Sequence, residues 1–173
     1  PFRSHDFRWV FWTRMLMVMG AFTVQEFLQF FMRDQVKVFN LFGNRVAENP
    51  ESAVSFFILA LLGGALLSSL AGGILSDRFG RKAMVYISSA FQAAVPFLFI
   101  FISSFDFVVA MGIVFGLGYG AYQSVDWALA SDVLPSADDY AKDMGIWHVS
   151  FTLPQVLATP IAGFLLDNFQ VVG

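Results

Sequence analysis

The sequence predicts an all-α, polytopic membrane helix bundle with about five transmembrane helices. Of the 173 residues, 57% are hydrophobic and 13% charged, against about 25% charged in an ordinary soluble domain. Mean hydropathy is +0.67 and Phe alone supplies 22 residues, more apolar surface than a soluble core of this length can hide. Four charge-free runs, Ser52–Ser76, Ala83–Phe105, Phe107–Val125 and Met144–Leu166, approach or exceed the ~20 residues that a helix needs to cross a bilayer.

These runs set expected spans at 53–75, 83–105, 107–127 and 144–167 within a single transmembrane domain, 1–173. A further span, 9–32, comes first. Arg14 and Glu26 interrupt it, but its Met, Leu, Phe and Val content favours a helix. Backbone in lipid must satisfy its own hydrogen bonds, so only helices or a closed barrel can cross. Runs of twenty-odd residues without polar alternation exclude the barrel. The short connections, Asp77–Lys82 above all, predict antiparallel neighbours. Arg33–Glu51 and Ser131–Asp143 are the long ones.

Lys and Arg predict the orientation. The side holding the N-terminus, Asp77–Lys82 and Ser131–Asp143 carries Arg3, Arg8, Arg14, Arg78, Arg81, Lys82 and Lys142; the other carries Arg33, Lys37 and Arg45. That excess places the N-terminus in the cytoplasm. The expected location is an integral multi-pass protein of the plasma membrane or an organelle. Pro1 in place of Met, and five spans ending at an apolar Val171–Val172, point to a piece of a longer chain that has lost a final helix.

The most informative stretch is Gly72-Gly73-Ile74-Leu75-Ser76-Asp77-Arg78-Phe79-Gly80-Arg81-Lys82. Gly72 and Gly73 let the end of the second span approach a neighbouring backbone closely. Gly80 permits the positive φ of a tight reversal. Arg78, Arg81 and Lys82 hold the turn in the cytoplasm. Asp77 is available to a helix N-terminus or to an arginine.

G-x-L-S-D-R-x-G-R-K between two spans resembles the cytoplasmic signature of the major facilitator superfamily, where it joins the second and third helices of a six-helix half. The resemblance implies a secondary carrier and places Asp77 near Met144–Trp147, with Arg81 near Asp132 or Asp126, as contacts that break during alternating access. The fourth helix holds Gly112, Gly116, Gly118 and Gly120 but no Arg, which favours the C-terminal half, helices seven to eleven. The missing N-terminal half and final helix would then be partners within the same chain. Tyr122–Leu129 with Asp132, Leu134 and Pro135, and Ala141–Trp147, resemble the sugar–cation symporter branch and its sucrose-carrier relatives.

Ionisable groups within spans usually face an interior or a cavity, and helical spacing sorts the candidates. In the first span Phe22, Glu26, Gln29 and Arg33 share a stripe. Glu26 is either a proton- or cation-responsive carboxylate or an interfacial acid paired with Arg33 or a loop base. Arg14 is expected to snorkel to the inner interface. In the fourth span Tyr119, Gln123 and Asp126 align beside the Gly112/Gly116/Gly120 ladder, which reads as close helix packing. Tyr119 and Gln123 suit a polar solute; Asp126 is a pathway carboxylate or, more in keeping with its place, an interfacial acid. In the fifth span His148, Thr152, Gln155 and Thr159 form a polar stripe, with His148 read as interfacial. Pro154 and Pro160 would kink this helix. Gln92 is expected to bond a neighbouring helix.

These readings favour transport of a small polar solute, a sugar by the resemblance, as symport with protons or sodium. An efflux antiporter of the same superfamily and a transporter-like receptor or scaffold are the alternatives. No basic block invites nucleic acid, and the absence of Cys excludes thiolate metal sites and a Cys nucleophile. No G-x-x-x-x-G-K-[ST], H-E-x-x-H or G-x-S-x-G occurs, so neither ATP-driven pumping nor intramembrane hydrolysis is expected. No cofactor or metal is expected. The partners are the lipid bilayer, the solute and its coupling ion.

Overall fold

A computed structural model describes residues 2, 4–133 and 140–168, with the side chains of 133 and 165–168 left aside. It is an all-α membrane helix bundle. Five long helices follow in order: α1 (His5–Phe31), α2 (Pro50–Phe79), α3 (Arg81–Phe99), α4 (Phe105–Val133) and α5 (Tyr140–Asn168). Among the described residues four segments are long and apolar enough to cross a membrane: His5–Val36, Pro50–Phe79, Arg81–Phe99 and Phe105–Asp132. The 29-residue α5 has the length as well, and the side chains at its apolar end lie outside the described residues.

Local chemistry explains the boundaries. Asn49 caps α2: its Oδ1 accepts from Ser52 N–H at 3.0 Å and Pro50 opens the first turn, a capping box with Pro where no donor is needed. Asp77 and Arg78 therefore belong to a helix, not to a loop. The expected loop Asp77–Lys82 shrinks to Gly80 alone, whose φ of 87° is open to glycine and costly for other residues. Helix α3 stops at Phe99, short of the expected residue 105. Pro96 sits in its last turns, and the chain tightens there through Ile100 N–H to Phe97 O at 3.3 Å and Phe101 N–H to Leu98 O at 3.1 Å.

The Arg33–Glu51 connection holds structure that the sequence reading missed. Helix α1 runs into a π-helical turn, Met32–Val36, and then a small antiparallel hairpin, β1 (Asn40–Leu41) and β2 (Asn44–Arg45), pairing Asn40 with Arg45 and Leu41 with Asn44. Phe42 and Gly43 form the two-residue loop, both at positive φ, as a type I′ turn requires. The expected 131–143 loop is shortened from both sides by α4 and α5, and residues 134–139, with Leu134 and Pro135, lie outside the described residues.

The chain divides into two compact units, residues 27–128 and residues 1–26 with 129–173. In the first, α4 packs on α2 through glycines. A Cβ on Gly112 would sit 2.9 Å from Phe57 O; one on Gly116 would overlap Leu61 backbone, and one on Gly120 would overlap Ala65 and Ser68. Gly64 of α2 returns the contact against Ile113, and Gly118 faces α3, 2.7 Å from Ser88 O. The predicted ladder is therefore a real seam in which backbone meets backbone. In the second unit the core is aromatic: Phe7 and Phe11 of α1, Ala130 of α4 and Trp147 of α5 are buried together.

Candidate functional site

The Gly80 turn sits where α2 and α3 meet. Gly80 N–H continues to Ser76 O at 2.9 Å, so helical bonding persists to the reversal itself. Ser76 Oγ donates to Gly73 O at 2.9 Å. Gly72 makes the expected close approach, its Cβ position 2.6 Å from Ser124 Oγ and 3.0 Å from Ala121 Cα. Gly73 does not, for nothing lies within 4 Å of its Cβ position. Asp77, Arg78, Gly80 and Lys82 are exposed, and so is Asp132 on the last turns of α4. Arg81 turns inward, half-buried, and its guanidinium donates to Ala128 O of α4. The contact ties the start of α3 to the end of the glycine-laddered helix.

Asp126, two residues before that carbonyl, is 2% exposed. It is a buried acid, not the solvated interfacial acid that its place in the sequence favours. Tyr119 and Gln123, one turn apart and half-buried, are brought together: Gln123 Nε2 donates to Tyr119 Oη at 3.2 Å.

Helix α5 has two faces. Asp143, Trp147, Ser150, Pro154 and Ala158 form its buried stripe; His148, Thr152 and Thr159 are exposed and Gln155 half-buried on the opposite one. His148 Nδ1 lies 3.3 Å from Met144 O, and Thr152 Oγ1 donates to His148 O at 3.3 Å. The predicted polar stripe is thus a continuous face, with the Thr152 hydroxyl folded onto the helix.

Helix α1 departs most from expectation. Glu26 and Gln29 are exposed, and Gln29 Nε2 donates to Glu51 Oε1 at 2.8 Å. Arg33 pairs with its neighbour Asp34, Nε to Oδ1 at 2.7 Å, instead of with Glu26. Arg14 does not snorkel. It is 3% exposed, with its guanidinium 4.5 Å from the centre of the Trp147 ring, 5.5 Å from that of Phe151, and within 3.4 Å of Trp147 O. Desolvation of the cation is offset by the ring faces and the carbonyl. A sequence signal existed: Phe7, Phe11, Arg14, Val18 and Ala21 recur at helical spacing, and all five are buried. Gln92 also differs, bonding Ser88 O of its own helix at 3.4 Å while its side chain packs on Gly118.

The family model of the Major Facilitator Superfamily matches residues 10–172. The chain belongs to this superfamily. It is similar to the human "Organic cation/carnitine transporter 2", 34% identical over 71 residues, covering 41% of this chain and 13% of the relative. An "Uncharacterized transporter" of Buchnera aphidicola subsp. Schizaphis graminum is 34% identical over 104 residues, 56% of this chain and 24% of the relative. The "MFS transporter asaE" of Aspergillus flavus is 28% identical over 126 residues, 71% of this chain and 28% of the relative. The chain therefore spans less than a third of the length of these relatives. No solved structure matches it.

Proposed function

We propose that this chain is part of a secondary active transporter that moves a small polar solute by alternating access, with the Gly80 turn as its cytoplasmic gating element. The observation that carries the reading is the bond from Arg81 to the Ala128 carbonyl. It joins the start of one helix to the end of another through a side chain, a contact that can be made and broken while helix backbones stay intact. Gly73, Asp77, Arg78, Gly80, Arg81, Lys82 and Asp132 make up the gate. Tyr119, Gln123, Asp126, His148, Thr152 and Gln155 supply polar groups to the solute pathway, and Glu26 and Gln29 belong to the same set.

A sugar carried with a proton or sodium is the solute suggested by the resemblance of Tyr122–Leu129 and Ala141–Trp147 to sugar–cation symporters. The organic cation and carnitine named for one set of relatives support a second reading, a charged organic solute. Counterflow of labelled sugars and labelled quaternary ammonium compounds into proteoliposomes holding the full-length protein separates them. Exchange of neither would instead favour a non-transporting receptor. Arg81→Ala should lower uptake by about tenfold or more, as loss of a charged hydrogen bond of ~1.5–3 kcal/mol implies, and Asp77→Asn should impair uptake too, with insertion unchanged in both. Wild-type uptake in both variants would remove the gate from the proposal.

A further inference from the structure

The hairpin Asn40–Arg45 carries an unusual residue at its tip. Phe42 stands at φ 50°, followed by Gly43 at φ 86°. Positive φ at a bulky residue is a conformational outlier, and Asn or Asp is the usual choice at the first position of a type I′ turn. The Phe42 ring is 89% exposed, so no packing among the described residues repays the strain. The position is held from outside the hairpin: Asp106, in the first turn of α4, accepts the Phe42 N–H at 2.8 Å. Phe39, at the base of the hairpin, stacks edge-on against Phe105 with ring centroids 5.6 Å apart.

The depth of this anchor follows from α3. That helix begins with Arg81 and Lys82, which stay out of hydrocarbon, and it has only 19 residues. At 1.5 Å per residue it is about 28 Å long, no more than the ~30 Å hydrocarbon core. Its far end at Phe99 therefore reaches the opposite edge of the core and not the water beyond. The connection that follows is apolar and open, with Ile100 73% and Phe101 69% exposed. Asp106 stands in the first turn of α4, directly after this connection, so the carboxylate that holds Phe42 lies at the same end of α3 and α4. Arg45, exposed at the end of β2, adds a base of the kind that meets lipid phosphate.

We propose that Phe42 is a membrane-interface anchor, inserted with Ile100 and Phe101 into the headgroup–acyl boundary of the leaflet opposite the Gly80 turn. The occupant of this apolar patch is lipid, and the patch continues the lipid-facing surface of α3. Burial of the ring there offsets the strain at φ 50°, and the Asp106 bond fixes the depth. Apolar side chains inserted in this way lie roughly 5–10 Å into the boundary. The inference needs the membrane bundle but not the identity of the solute.

The 173 residues contain no Cys, so single spin labels are readily placed here. The full-length protein in liposomes, its cysteines outside this segment replaced, would carry a nitroxide at Phe42→Cys, or at Asn44→Cys on the same hairpin. Collision of the label with oxygen, relative to collision with an aqueous nickel chelate, reads depth. The ratio should be several-fold higher at Phe42→Cys than at Asn44→Cys. Equal ratios would overturn the proposal, and so would a Phe42→Cys label shielded from both reagents, which would mean packing against protein. Adding Asp106→Ala should lower the ratio at Phe42→Cys while a label at Tyr86→Cys on α3 keeps its depth. An unchanged ratio would remove Asp106 from the anchor. If the Tyr86→Cys label also moves, the comparison of Phe42→Cys with Asn44→Cys in the protein retaining Asp106 decides.

Discussion

The two units solve the same problem with opposite materials. In residues 27–128, α2 and α4 meet by deleting side chains: Gly112, Gly116 and Gly120 rest on Phe57, Leu61, Ala65 and Ser68. In the other unit the space is filled instead, with Phe7, Phe11 and Trp147 buried and Arg14 laid over the Trp147 ring. Lipid supplies no hydrophobic drive between helices, so contact area and polar bonds must hold them. One seam is therefore intolerant of added atoms, the other of atoms removed. The seam also binds its few polar groups to main chain, as Ser68 Oγ does to Gly116 O at 3.4 Å.

The sharpest way to break the comparison is to exchange the two materials. Gly116→Val forces side-chain atoms into Leu61 backbone, and overpacking against backbone should exceed the usual ~1–3 kcal/mol. Little folded protein should survive detergent extraction, read by size-exclusion chromatography. Trp147→Ala empties the aromatic core of a side chain that is 0% exposed, at about 3–5 kcal/mol. It should insert yet melt well below wild type. Arg14→Lys keeps the charge but loses the planar face over Trp147, at about 0.5–2 kcal/mol, seen as a smaller drop in Tm. The mildest change tests the seam from its blind side. Gly63, next to Gly64, has nothing within 4 Å of its Cβ position, so Gly63→Ala should be neutral or stabilise α2 by up to ~1 kcal/mol. A large loss in Gly63→Ala would mean that the seam is not where the glycine contacts put it.

Much of this was legible because the governing rules are local. The charge-free runs define the helices whatever their neighbours. Gly80 could be read as the reversal because a positive φ is a property of one residue, and the glycine ladder because small residues every fourth position leave one face flat. The hairpin was not legible. Leu41-Phe42-Gly43-Asn44 lacks the Asn-Gly or Asp-Gly pair that marks a type I′ turn, and Asp106, the residue that holds it, is 64 positions away. Gly72 and Gly73 are adjacent and alike in sequence, yet only Gly72 lies on the face that meets α4. The Arg81 bond lands on a carbonyl, a group that every residue carries and no side-chain pattern marks.

The sequence by itself determined the membrane class, the helix order and the tight turn at Gly80, since solvent preference and backbone freedom belong to individual residues and short runs. Tertiary structure decided which charge is buried. Helix α1 has two plausible stripes, one through Glu26 and Gln29, the other through Phe7, Phe11, Arg14, Val18 and Ala21. Helical periodicity draws both but cannot say which one faces a partner. That choice is made by α5, whose Trp147 ring and carbonyl meet Arg14 from 133 residues away.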